Sequence, residues 1–119
     1  MSKATLHLKS TATFKAEVML KVKNVMSGFL TITYPVMSPD EFNAFLEEDL
    51  AADQQYERIV IGVEGLPDAD TGEVLEGEAA IEAARNGKFA MWIRPAIVGH
   101  FIEQYGAARV KNSTQSRAR

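Results

Sequence analysis

The chain of 119 residues contains no cysteine. That excludes a disulfide-stapled scaffold, a thiol nucleophile, an iron–sulfur cluster and any zinc site built on thiolates. Long apolar runs are also missing. Nothing approaches the roughly 18 apolar residues of a membrane span, and no apolar run of signal-peptide length follows Lys3. The expectation is a cytosolic protein with no membrane segment. There are 2 histidines, His7 and His100, and neither has a second histidine at helical spacing or a nearby set of ligands. Both read as structural side chains. No G-x-S-x-G elbow, Walker loop or G-x-G-x-x-G turn occurs. Carboxylates are plentiful, but none stands among apolar neighbours in the way a tuned general acid or base does. The expectation is therefore a non-enzyme, with no catalytic residue, no cofactor and no metal ligand.

What is present suits one packed domain. Hydrophobic residues make up 46% of the chain, and a domain of this size buries roughly two-thirds of its unfolded surface without a metal or disulfide staple. Thr13–Lys23 alternates Phe14, Ala16, Val18, Leu20 and Val22 against Lys15, Glu17, Lys21 and Lys23, with Met19 alone intruding on the polar side. A period of two predicts a half-buried strand. Asn24–Gly28 supplies a turn of about five residues. Phe29–Tyr34 then places Leu30, Ile32 and Tyr34 on one face, which predicts an antiparallel hairpin. Ala4, Leu6 and Leu8 offer a third short alternation.

Ser38-Pro-Asp-Glu41 is a helix start: a capping serine, a proline at the first helical position, and a glutamate able to reach back. Phe42, Phe45, Leu46 and Leu50 follow at helical spacing, so a helix over 39–53 is expected to cover the hairpin. Arg58–Val63 reads equally as a buried strand or as an apolar helix end. Gly65–Gly72 is dense in turn residues and, with Val74 and Leu75, predicts a tight loop or small hairpin. Its Asp68-Ala-Asp-Thr-Gly72 resembles the opening of a calcium loop. Glu73 stands where that loop needs glycine, however, and Ala79 where it needs a bidentate glutamate, so a turn is the better reading. An alanine-rich helix is expected over Glu78–Asn86, stopped at Gly87. Pro95 is expected to open a last helix in its first turn, with Ile97, Val98, Phe101, Ile102 and Tyr105 on one stripe. That pattern fades after Gly106. The whole predicts an α+β fold: an N-terminal antiparallel hairpin or small sheet packed by a helix, then a helical C-terminal half. Residues 1–111 form the domain, and 112–119 form a flexible basic tail.

Charge changes sign twice along the chain. Residues 1–37 sum to +4, residues 38–82 to −13 and residues 83–119 to +6. Such blocks are usually solvated faces of neighbouring elements; they also permit head-to-tail attraction between copies, or an acidic surface for a basic partner. The acidic centre would repel a phosphate backbone, and the basic tail lacks interleaved aromatics for base stacking. Nucleic-acid binding is therefore disfavoured.

The order of features resembles a known family. A Lys-rich hairpin precedes an acidic helix opened by Ser38-Pro-Asp-Glu41. Ile61-Gly62-Val63 and Asp70-Thr71-Gly72-Glu73-Val74-Leu75 follow, and a last helix carries Pro95, Ile97, Phe101 and Tyr105 before Lys111-Asn112-Ser113. Over roughly residues 12–113 this is similar to the small tail assembly chaperones of long-tailed bacteriophages and prophages. One departure is that such proteins often carry a Trp shortly before the Gly-Val pair, where this chain has Val60. The resemblance implies a non-enzymatic protein of the infected or lysogenic host cytoplasm. It would bind the helical tape-measure protein, assist polymerisation of the tail-tube protein and be absent from the mature virion. A structural tail component and a nucleic-acid-binding accessory protein are the alternatives.

A chaperone of this kind needs exposed apolar area. Met91, Trp92, Ile97, Phe101 and Tyr105 are the candidates for a client or homo-oligomer interface, because large amphipathic side chains suit such positions. For any single one of the five, a place in the core is the reading favoured over an interface. Met19, on the wrong face of its strand, is the candidate for a self-association edge.

Overall fold

The structure, a computed structural model, describes residues 12–117, with side chains described as far as Gly106. Its class is α+β: a three-stranded antiparallel sheet at the N-terminal end and four helices that follow mostly in the C-terminal half. Strands β1 (Thr13–Val22) and β2 (Met26–Pro35) form the hairpin, and β3 (Gly62–Glu64) joins the outer side of β2. The alternation of β1 decides which face is buried: Val18 and Leu20 turn inward, while Lys15, Glu17, Met19 and Lys21 turn outward. The Ala4–Leu8 alternation lies outside the described residues.

The hairpin turn is shorter than the sequence pattern indicates. The Val25 N–H donates to the Val22 carbonyl at 2.9 Å, and Asn24 takes φ 64°. A positive φ at the third turn position is the type II arrangement, which asparagine tolerates. Strand pairing therefore resumes at Met26, and Met19 faces Phe29 across the ladder.

Ser38 caps α1 (Pro39–Glu47) with a full capping box: the Glu41 N–H donates to Ser38 Oγ at 3.1 Å, and the Ser38 N–H donates to Glu41 Oε1 at 2.9 Å. The expected single helix over 39–53 does not form. It ends at Glu47, Asp49 takes φ 52°, and a separate α2 (Ala52–Ile59) begins. Glu47, Glu48 and Asp49 crowd the negative end of the helix dipole, which disfavours continuation, and aspartate adopts the left-handed region more readily than most residues. Arg58–Val63 resolves into both of its readings: Arg58 and Ile59 finish α2, and Gly62 and Val63 enter β3.

The segment after Gly65 is a small hairpin. Pro67 bridges Val74, the Asp68 N–H donates to the Glu73 carbonyl at 2.7 Å, and the Leu75 N–H donates to the Leu66 carbonyl at 2.8 Å. Helix α3 (Gly77–Asn86) follows and buries Ala80 and Ala84 completely. Gly87 ends it at φ −75°, without the left-handed cap. Glycine is required there because a Cβ would collide with the Ala83 carbonyl oxygen.

The last helix, α4 (Ala90–Arg117), begins earlier than expected, so Pro95 lies inside it. The Trp92 and Ile93 N–H groups both donate to the Phe89 carbonyl at 3.1 Å, which closes the first turn before the proline. The backbone stays helical past Gly106 to Arg117, and the tail expected at 112–119 falls outside the described side chains.

The helix on the inner face of the sheet is α4, and α1 does not take that place. Tyr34 of β2 is fully buried, its ring 5.0 Å from Phe101. Its hydroxyl donates to the Ile97 carbonyl at 3.1 Å and lies 3.1 Å from His100 Nδ1. Burial pushes the Tyr34 phenol well above its ordinary range. Helix α1 instead stacks on α4: Phe42 lies 5.1 Å from Tyr105 and Phe45 lies 5.9 Å from Phe101. One apolar cluster runs from Val18 and Leu30 through Tyr56 and Val63 to Phe101.

Candidate functional site

Two places gather apolar side chains that the core leaves exposed, while Val36, Ile61 and Val74 are exposed as well. The first is the outer face of the sheet, where the cross-strand partners Met19 and Phe29 are 62% and 57% exposed. The second is a groove of about 650 Å³ between the hairpin tip and the Asp68–Gly72 loop. Val25, Phe29, Leu66, Phe89 and Ile93 line it, and Asp68 and Asp70 stand on its rim. Phe89 joins this groove to the start of α4, its ring 6.3 Å from that of Trp92. Met91 is 73% exposed and Trp92 38%.

The six candidate interface residues therefore separate. Met19, Met91 and Trp92 are on the surface. Ile97 and Phe101 are fully buried and belong to the core of the monomer. No partner reaches them without opening the fold, because both sit on the stripe of α4 that covers Tyr34 and α1. Tyr105 is half-buried and acts as a strut: its hydroxyl accepts from the Met37 N–H at 2.8 Å and donates to the Pro35 carbonyl at 3.3 Å. Helical periodicity marks which residues share a stripe, but it does not say whether that stripe meets the chain's own sheet or a partner.

Phe29, Val25 and Phe89 were not among the candidates. Phe29 had a readable signal: it alternates with Leu30, Ile32 and Tyr34 and so had to face outward. Its apposition to Met19 depended on a turn of three residues (23–25), which the glycine at 28 disguised.

The groove has the size of a small-molecule site but not its convergent polar groups. Asp68 is engaged within its own loop, accepting from the Asp70 and Thr71 N–H groups at 2.8 and 3.0 Å. Those backbone hydrogen bonds, that of Thr71 foremost, hold its carboxyl below the usual range. The densest polar cluster is elsewhere. Arg85 bridges Asp53 and Glu57, and Arg94 reaches both Asp53 and the Arg85 carbonyl, so α2, α3 and α4 are tied together. It is a structural clamp. Among the described residues no group of three or more His, Asp or Glu could hold a metal ion, and no helix is long and apolar enough to cross a membrane. Comparison with family models, with curated proteins and with solved structures finds no match to this chain.

Proposed function

We propose that the chain is a tail assembly chaperone of a long-tailed bacteriophage or prophage, working in the host cytoplasm without enzymatic chemistry. It binds the tape-measure protein, keeps that long helical client from aggregating, assists the tail-tube protein in polymerising around it, and leaves before the particle is complete. One observation carries the reading: Val25, Phe29 and Phe89 line one groove, the Phe89 ring lies 6.3 Å from that of the exposed Trp92, and Met91 beside it in sequence is exposed too. A groove of that kind accepts the apolar face of an amphipathic helix. Asp68 and Asp70 on the rim favour a client segment with basic flanks, and the acidic centre of the chain helps keep the complex dispersed. The ordered motifs from Ser38-Pro-Asp-Glu41 to the Tyr105 helix support the same family.

Co-expression with a tape-measure protein tests this. The expected result is co-purification and a gain in the client's soluble fraction, both reduced by Trp92→Ser or Phe89→Ser. A client that stays insoluble and unbound overturns the reading. Recovery of the chain in purified tails would make it a structural component instead.

A further inference from the structure

From the outer edge of β1 we infer that the protein forms a two-fold symmetric dimer in which β1 of one copy pairs antiparallel with β1 of a second, centred on Met19. The strand is 10 residues long and terminal in the sheet, so among the described residues no strand takes up the backbone groups of its outer side. A long, regular edge is a template for another strand unless it is covered or guarded by charge, and Lys15, Glu17 and Lys21 on this edge admit only an occupant whose charges complement theirs. An open furrow between that edge and α4, lined by Val18 and Met19 on one side and by Pro95, Ala96, Gly99, His100 and the acidic Glu103 on the other, leaves room beside it.

Charge selects both the occupant and the register. A two-fold axis perpendicular to the sheet keeps inner side chains inner, so the register moves only in steps that pair outer residues with outer residues. Centring on Glu17 sets the two glutamates against each other. Centring on Val18 sets Lys15 against Lys21. Centring on Met19 places each Glu17 opposite the second copy's Lys21 and Met19 opposite Met19. Centring on Ala16 or on Leu20 also matches charges, Lys15 with Glu17 or Glu17 with Lys23, but leaves Met19 facing Thr13 or Lys21. In the Met19 register the exposed Met19–Phe29 pair of one copy continues into that of the other, forming one apolar strip across the joined sheets. Cross-strand pairs of this type are the unit of sheet stabilisation. Lys15, which approaches Lys23 of the second copy, already has Glu64 at 3.1 Å as a counter-charge.

The inference is independent of the chaperone reading and is tested on the purified chain alone. Sedimentation should show a dimer. Glu17→Lys and Lys21→Glu should each raise its dissociation constant about tenfold, with circular dichroism unchanged. The double variant should restore the dimer. Because the chain lacks cysteine, Met19→Cys should give a dimer linked by a short bifunctional thiol crosslinker, while the exposed Met91→Cys should not. A monomeric wild type overturns the inference, including one whose β1 amides are protected by another segment of the same chain. So does a dimer that ignores both charge variants, or a Met19→Cys protein that fails to link.

Discussion

Arg85 meets the Asp53 carboxylate side-on, Nε to Oδ1 at 2.7 Å and Nη2 to Oδ2 at 2.8 Å, and so fastens α3 to α2. The paired hydrogen bonds give this contact a fixed geometry that a lysine could not reproduce.

That contact predicts a pH dependence. The Arg85 hydrogen bonds hold the Asp53 carboxyl below its ordinary range, more than its partial burial raises it. A carboxylate depressed on folding contributes stability that is fully present above its unfolded pKa and lost as pH falls through the folded one. Denaturant midpoints measured from neutral pH into the acid range should therefore fall, and Asp53→Asn should flatten that fall. Glu41 and Asp68, lowered by hydrogen bonds to backbone N–H groups, add to it in the same sense.

Tyr105→Phe should cost about 1–2 kcal/mol in urea unfolding, because the Met37 N–H loses its acceptor while the ring stays packed on Phe42 and Phe101. Unchanged stability would show that water replaces the hydroxyl.

Gly87→Ala should lower stability by about 1–3 kcal/mol, since the new methyl can be accommodated only by moving the Ala83 backbone. Thermal unfolding monitored by circular dichroism reads this directly. Gly72→Ala is the comparison: its added Cβ meets nothing within 4 Å, although φ +78° still strains the backbone.

Core and surface positions of α4 should separate cleanly. Ile97→Ala should cost about 2–5 kcal/mol, whereas Met91→Ser should stay within about 0.5 kcal/mol. Client capture should respond in the opposite order, with Met91→Ser weakening it in a fully folded protein.

The α+β class, the hairpin and α3 were legible because each rests on a local signal: period-two alternation, or an alanine-rich run before glycine. Three features were not. The break at Asp49 carries no glycine or proline, and its cause is an excess of acids at a helix C-terminus. The early start of α4 sets a proline inside a helix, against its usual position. The division of Met91 and Trp92 from Ile97 and Phe101 depends on which element faces α4, and that is a long-range matter. Tyr34 decides it by donating to Ile97, 63 positions later.

The Tyr34–Ile97 and Tyr105–Pro35 links also set the order of events during synthesis. The hairpin can close as soon as its own residues are free of the ribosome, yet Tyr34, Phe42 and Phe45 have no cover until α4 has been translated. A nascent chain stalled before Ala90 would expose a large aromatic surface, so completion of this fold waits on the emergence of α4.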